Sequence, residues 1–159
     1  MNKYQPHVWV IPEDDANRQL ANGFIDHHGV NDLRIQTMPS AGGWSKVLQQ
    51  FLDEYVHVLQ NNQNAHVVML IDFDGKFEGR IAEFNEAIPA NLKDRVFVIG
   101  SKTTPELLRK ELKTSFESIG ESLAEDCHTG SVTTWTHEHL NHNETERQRL
   151  VQIVKRFLF

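Results

Sequence analysis

Apolar residues along the chain alternate between two rhythms. The run HVWVIP, residues 7–12, has the length and β-branched character of a buried strand. In EDDANRQLANGFIDHHG, Leu20, Phe24 and Ile25 return near helical spacing, acids crowd the start and Gly29 follows the end, so a helix is predicted. The pattern then repeats. RIQTMP predicts a second strand, SAGG a tight turn, and WSKVLQQFLDEYVHVLQ an amphipathic helix carrying Trp44, Val47, Leu48, Phe51, Leu52 and Tyr55. AHVVMLID is a continuous apolar run ending in acid, the signature of a central parallel strand buried on both faces, and GRIAEFNEAI supplies the following helix. A fourth run, RVFVIGS, leads into TTPELLRKEL, where a threonine cap, a proline in the first turn and Glu106 mark a helix start.

Four strand-then-helix units predict an α/β fold: a parallel, Rossmann-like sheet of about four strands, with right-handed crossovers and helices on both faces. The remaining residues read as helix, loop and a final helix whose stripe is Leu150, Val151, Val154, Phe157 and Leu158. The expected organisation is a single domain over residues 1–159, with a core at about 7–112 and a C-terminal helical extension at about 113–159. Ligands of such sheets bind at the carboxyl ends of the strands. The segments PEDDAN, PSAGGW, DFDGKFEG and GSKTTPE should therefore converge on one rim.

Composition narrows the classes of function. At 159 residues, 39% hydrophobic and 24% charged, the chain is an ordinary globular domain with no apolar run long enough to cross a membrane. Its start, MNKYQPHVWVIPEDD, does not resemble a secretory signal, and Cys127 is the single cysteine; both fit an expected cytoplasmic, reducing location. The formal net charge of -6 argues against broad attraction to free nucleic acid, because nonspecific affinity comes from neutralised phosphates. A nucleic-acid role requires a local basic rim, a metal, or a protein partner that supplies the grip.

The chemistry concentrates in acids. Asp72 and Asp74 sit two apart at the end of the most apolar strand, so in extended backbone their side chains point the same way. Carboxylates that close repel unless a proton or a cation intervenes. Glu13 ends the first strand, which in a parallel sheet can lie beside the third. Hard oxygen ligands of this kind suit Mg²⁺ or Mn²⁺ and metal-assisted phosphoryl or phosphodiester chemistry. Asp14 and Asp15 are expected to cap the following helix, where the dipole favours negative charge. Arg18, Lys46, Lys76, Arg80 and Lys102 lie where they could meet a phosphate backbone, although each taken singly reads as surface charge. His137, His139 and His142, with Cys127 and His128 upstream, match no standard zinc spacing, and two histidines at i and i+2 do not share a helical face; helix-start and surface roles are expected. The GG of SAGG lacks the lysine and hydroxyl residue of a P-loop.

The order of these motifs resembles the Toprim domain of OLD-type nucleases and primases, here in a small stand-alone chain. The matching positions are Glu13 in IPEDDANRQL, Gly42 and Gly43 in PSAGGW, and Asp72 and Asp74 in IDFDG, with Glu106 of TTPELL as the acid some OLD-like members carry after the fourth strand. The resemblance covers roughly residues 7 to 112. It implies that Asp72 and Asp74 hold Mg²⁺ or Mn²⁺, that Glu13 acts as acid, base or further ligand, and that Gly42, Gly43 and Glu106 belong to the cofactor-binding surface. Proline before Glu13, and aspartate where many members have glycine after it, depart from the pattern. A second resemblance is to response-regulator receiver domains, which would make Asp14 and Asp15 metal ligands, Asp72 the phosphoacceptor and Ser101 the switch hydroxyl. A metal-free module whose acidic rim binds a basic partner is the third expectation.

Overall fold

The computed structural model describes residues 1–159 and contains four strands: β1 (His7–Pro12), β2 (Ile35–Thr37), β3 (Ala65–Leu70) and β4 (Val96–Ile99). All pair in parallel in the order β2-β1-β3-β4, with Val8 opposite Ile35, Val10 opposite Val68, and Leu70 opposite Ile99. Seven helices complete the chain: α1 (Asp15–Asp26), α2 (Trp44–Gln50), α3 (Val56–Asn61), α4 (Phe77–Ala87), α5 (Pro105–Leu112), α6 (Phe116–Thr129) and α7 (Glu144–Leu158). No helix is long and apolar enough to cross a membrane. The α/β class and the four strands are those predicted from the periodicity.

Pleating divides the central strand between two cores. Val67, Met69, Ile71 and Phe73 face a cluster completed by Val47, Phe51, Tyr55 and Leu59 of the second crossover and Phe84 of α4. Val68 faces the opposite cluster, with Leu20 from α1, Leu123 from α6, and Leu150 and Val154 from α7; Leu70 packs against it. Right-handed connections explain this division: the step from β1 to β2 runs one way along the sheet, and the steps to β3 and β4 run the other. The crossover direction reverses between β1 and β3.

The C-terminal helices pack into the core. On the Val68 face α6 and α7 join α1 and α5, and Ile119, Leu123, Leu150, Val154 and Leu158 belong to the same buried cluster as the strands. They also close the open edge of β4. Glu146 Oε2 accepts the Val98 N–H at 2.9 Å, and Asn143 makes paired bonds with Gly100, accepting its N–H at 3.1 Å and donating to its carbonyl at 2.9 Å. A parallel edge strand with unpaired backbone groups is a template for association. Here side chains satisfy those groups, and no fifth strand follows.

Local departures from the prediction have physical causes. The helix after β2 is not uniform, because Phe51–Tyr55 is a π turn between α2 and α3. Val47, Phe51, Tyr55 and Leu59 recur every four residues, which overshoots a turn of 3.6, and the wider π turn absorbs that drift while all four stay buried. Asp14 caps α1 by accepting the Asn17 N–H at 3.0 Å, whereas Asp15 lies inside the first turn and pairs with Arg18. Thr104 occupies the cap position of α5 without a side-chain bond.

Glycines let α1 and α6 approach. A Cβ on Gly120 would stand 2.0 Å from the Leu20 carbonyl oxygen, and one on Gly23 2.0 Å from that of Glu117. A Cβ on Gly79, in α4, would have nothing within 4 Å. Gly120→Ala is therefore expected to destabilise by about 3 kcal/mol through overpacking against rigid backbone, whereas Gly79→Ala should stabilise by about 0.5–1 kcal/mol through helix propensity. Urea denaturation of both variants reads the contrast.

Candidate functional site

The reversal between β1 and β3 opens a gap in the main-chain ladder. Beyond Pro12 the strands make one more backbone bond, from the Glu13 N–H to the Leu70 carbonyl at 2.9 Å. The ladder then continues through a side chain: Glu13 Oε2 accepts the Asp72 N–H at 2.6 Å. The glycine loop closes on the same point, with the Ala41 N–H donating to the Pro12 carbonyl at 2.9 Å and the Gly42 N–H to the Glu13 carbonyl at 2.8 Å. Gly42 has a φ of 95°, a left-handed value that favours glycine, so the sequence SAGG is what allows this seating.

Asp72 is buried, and its Oδ1 accepts a 2.8 Å hydrogen bond from Asn17 Nδ2. The same amide group donates to Asp14 Oδ1 at 2.9 Å, so one side chain on α1 ties the cap of that helix to the end of β3. Asp72 Oδ2 and Glu13 Oε1 take part in no hydrogen bond. Burial, first, and then the charges of Asp14, Glu13 and Asp74 push the Asp72 carboxyl up to about 7, against the opposing bond from Asn17. Glu13 is raised too, chiefly by burial, with the Asp72 N–H bond opposing and Asp14 and Asp74 adding to the rise.

Asp74 does not share the direction of Asp72. The extended backbone assumed from sequence ends before it: Asp74 has a φ of 50° and Gly75 one of 73°, and their N–H groups bond the carbonyls of Thr103 and Lys102 at 3.3 and 2.8 Å. The turn gives the two aspartates different partners, Asn17 from α1 and Arg80 from α4. Arg80 Nη1 donates to Asp74 Oδ2 at 2.6 Å and to the Asp72 carbonyl at 2.8 Å, while its guanidinium lies 4.3 Å from the Trp44 ring centre. Arg80 is therefore buried and committed, not a phosphate-facing surface charge. Arg18 is occupied by Asp15. Lys46, Lys76 and Lys102 remain exposed and form no ion pair.

Glu13, Gly42, Asp72 and Asp74 are thus brought to one rim, with Gly43 beginning α2 beside them. Glu106 is not drawn in; it is exposed in the first turn of α5 and bonded to nothing. Sequence reasoning missed Asn17, whose signal was an amide on the first turn of a helix that begins with acids. It also missed that the donors are spread. Sets of three ligand atoms within 4.8 Å of one another occur at His27, His28 and Glu125 and at Glu111, Glu138 and His139, not at Glu13, Asp72 and Asp74. An apolar cavity of about 90 Å³ lies in the core on the Asp72 side of the sheet, walled by Val8, Leu20, Trp135 and Leu150; Asn17 and Ser101 also line it, with Asn17 Oδ1 and Ser101 Oγ unbonded. It carries none of the acids.

The histidines divide. His142 Nε2 bonds the Gly100 carbonyl at 2.7 Å and packs edge-on to Phe73, while Cys127 is buried in the core with α6. His137 and His139 stack, 5.4 Å between ring centres, because residues 131–140 are turns and not a helix, so the helical-face argument does not apply to them. The chain matches no protein-family model, no curated protein and no solved structure.

The raised Asp72 fixes a pH dependence for the metal-free protein. Unfolded, its carboxyl titrates near 3.8, and folded near 7, so between these values the folded state binds more protons. Stability should fall as pH rises from about 4 to about 7 and level off above. Asp72→Asn should flatten that slope, as read by urea midpoints from pH 5 to 8 in a chelating buffer.

Proposed function

We propose that the chain is a Toprim-like domain that carries out Mg²⁺- or Mn²⁺-dependent phosphodiester or phosphoryl chemistry on nucleic acid. The observation that carries this reading is the set of carboxylates, Glu13, Asp14, Asp72 and Asp74, gathered where the crossover direction reverses. In open parallel sheets this is where ligands bind. The donors are hard oxygens, and Mg²⁺ needs only one or two carboxylates because it keeps several waters, so the spread of the acids suits it better than a closed cage. Asp72 with Glu13 would hold the ion, and Asp74 would reach it through the oxygen that Arg80 leaves free. The ion's contribution when bound is to polarise a phosphate and neutralise developing charge.

The chain's own residues do the positioning. Asn17 holds Asp72 in one rotamer by binding a single oxygen, leaving the other unpaired. Arg80 locks the turn that displays Asp74. Glu13, whose carboxyl is raised by burial, holds its proton more firmly than an exposed glutamate, which suits an acid or base role. Exposed Lys46, Lys76 and Lys102 supply local positive charge on a chain of net charge -6, and a partner protein would supply further grip on nucleic acid.

A phosphoacceptor reading has one observation in its favour. Continuing the β3–β4 register places Ser101 opposite Asp72, and Ser101 Oγ is buried without a partner. Against it stand the absence of a fifth strand and the enclosure of Asp72 by Asn17.

The test is cleavage of plasmid, single-stranded DNA and structured RNA with Mn²⁺, comparing wild type and Asp72→Asn of matched folding. Cutting by wild type that falls at least about 100-fold in the variant is expected. Equal cutting by both overturns the assignment of the site. Phosphorylation of Asp72 by acetyl phosphate, with no cutting of any substrate, replaces it with the signalling reading.

A further inference from the structure

A second side-chain cluster lies away from the carboxylate rim, where the end of α5 meets the turns before α7. Glu111, on the last turn of α5, receives both stacked histidines: His139 Nε2 is 3.0 Å from Glu111 Oε1, and His137 Nε2 is 3.2 Å from Glu111 Oε2. Glu138 brings a second carboxylate to within 3.8 Å of His139 Nε2. One ligand atom each from Glu111, Glu138 and His139 falls within a 4.8 Å circle.

The ring nitrogens distinguish this cluster from its rival. At the joined ends of α1 and α6, His27 Nδ1 accepts the Gly29 N–H at 3.0 Å, so its Nε2 carries the proton that it shares with Glu125 at 2.5 Å. A metal on that Nε2 would have to expel a proton whose only other seat is already filled. His137 is committed in the same way, its Nδ1 accepting the His139 N–H at 3.1 Å. His139 is not. Its Nδ1 is buried with no partner, so the proton can move there without displacing another group; the Nε2–H bond to Glu111 is given up, and the Nε2 lone pair is freed between two carboxylates for a cation to take.

The backbone that presents His139 is fixed beforehand. Buried Asp126 accepts the hydroxyl of Ser131 and the N–H groups of Thr134 and Trp135, and the Trp135 indole donates to the Leu123 carbonyl at 3.2 Å. The Lys102 N–H anchors the His139 carbonyl at 2.9 Å.

The geometry points to a binding site for a borderline divalent transition cation, Zn²⁺ foremost, with His139 Nε2, Glu111 and Glu138 as ligands. His137 stands behind it, donating Nε2–H to Glu111 and orienting that carboxylate, a role in which outer partners tune affinity. One imidazole nitrogen and two carboxylates form a mixed set that suits Zn²⁺ better than Mg²⁺, and they leave at least one position for water. The bound ion clips α5 to the segment leading into α7. This site is independent of the proposed chemistry at Asp72.

Zn²⁺ titration of the full chain, followed by calorimetry and by side-chain ¹⁵N shifts of histidine, tests the assignment. One saturable Zn²⁺ per chain is expected, with the His139 Nε2 resonance moving and that of His27 unchanged. His139→Ala should abolish the binding, and His137→Ala should weaken it about 10-fold; circular dichroism confirms that each is folded. No saturable binding overturns the site. Binding kept in His139→Ala but lost in His28→Ala does so too, by moving the metal to the other cluster.

Discussion

Where the crossover direction reverses between β1 and β3, the main-chain ladder stops at the Glu13–Leu70 bond, and the Asp72 N–H beyond it has no backbone partner. Glu13 resolves this by lending a side-chain oxygen to the Asp72 N–H. That single bond holds the loop after β1, and through the Glu13 carbonyl the glycine loop after β2, against the end of β3. A neutral side chain of similar length would satisfy the same donor. The choice of a carboxylate places negative charge beside Asp14, Asp72 and Asp74, where the fold has no structural need of it.

The surrounding residues moderate this charge without cancelling it. Asn17 offers its two amide hydrogens to Asp14 and Asp72, which fixes both but adds no positive charge. Arg80 is the one buried cation at hand, and it is divided between the Asp74 carboxylate and the Asp72 carbonyl. Asp72 is left with a carboxyl raised to about 7, a cost in stability that builds from about pH 4 to about pH 7 and that a well-packed neutral residue would avoid. Retained destabilisation at a strand end is the pattern expected where a ligand provides the missing charge.

Much of the fold was legible in the sequence because periodicity reports burial directly. HVWVIP, AHVVMLID and RVFVIGS could be read as strands, and the strand-then-helix alternation implied a parallel sheet. The C-terminal helices were legible as helices but not as the second half of a core, since the partners of Leu150 and Val154 are strands distant in the chain. At the rim, residue types could be read and directions could not. Asp72 and Asp74 looked parallel because the left-handed turn at Asp74 is set by bonds to the loop after β4, which local sequence does not reveal. Arg80 looked like a surface charge because its burial depends on Trp44, thirty-six residues earlier in the chain. Glu111 escaped notice as a partner of His137 and His139 for the same reason.

The central claim is that the carboxylates at the reversal point form one cation site. Carboxyl carbon NMR of Asp and Glu side chains, with Mn²⁺ added in substoichiometric steps, tests it most directly. The account predicts that paramagnetic broadening appears first at Glu13 and Asp72, and that Mg²⁺ added in excess reverses it. Broadening that appears equally across exposed acids such as Glu78, Glu106 and Glu121, with Asp72 spared, would contradict it.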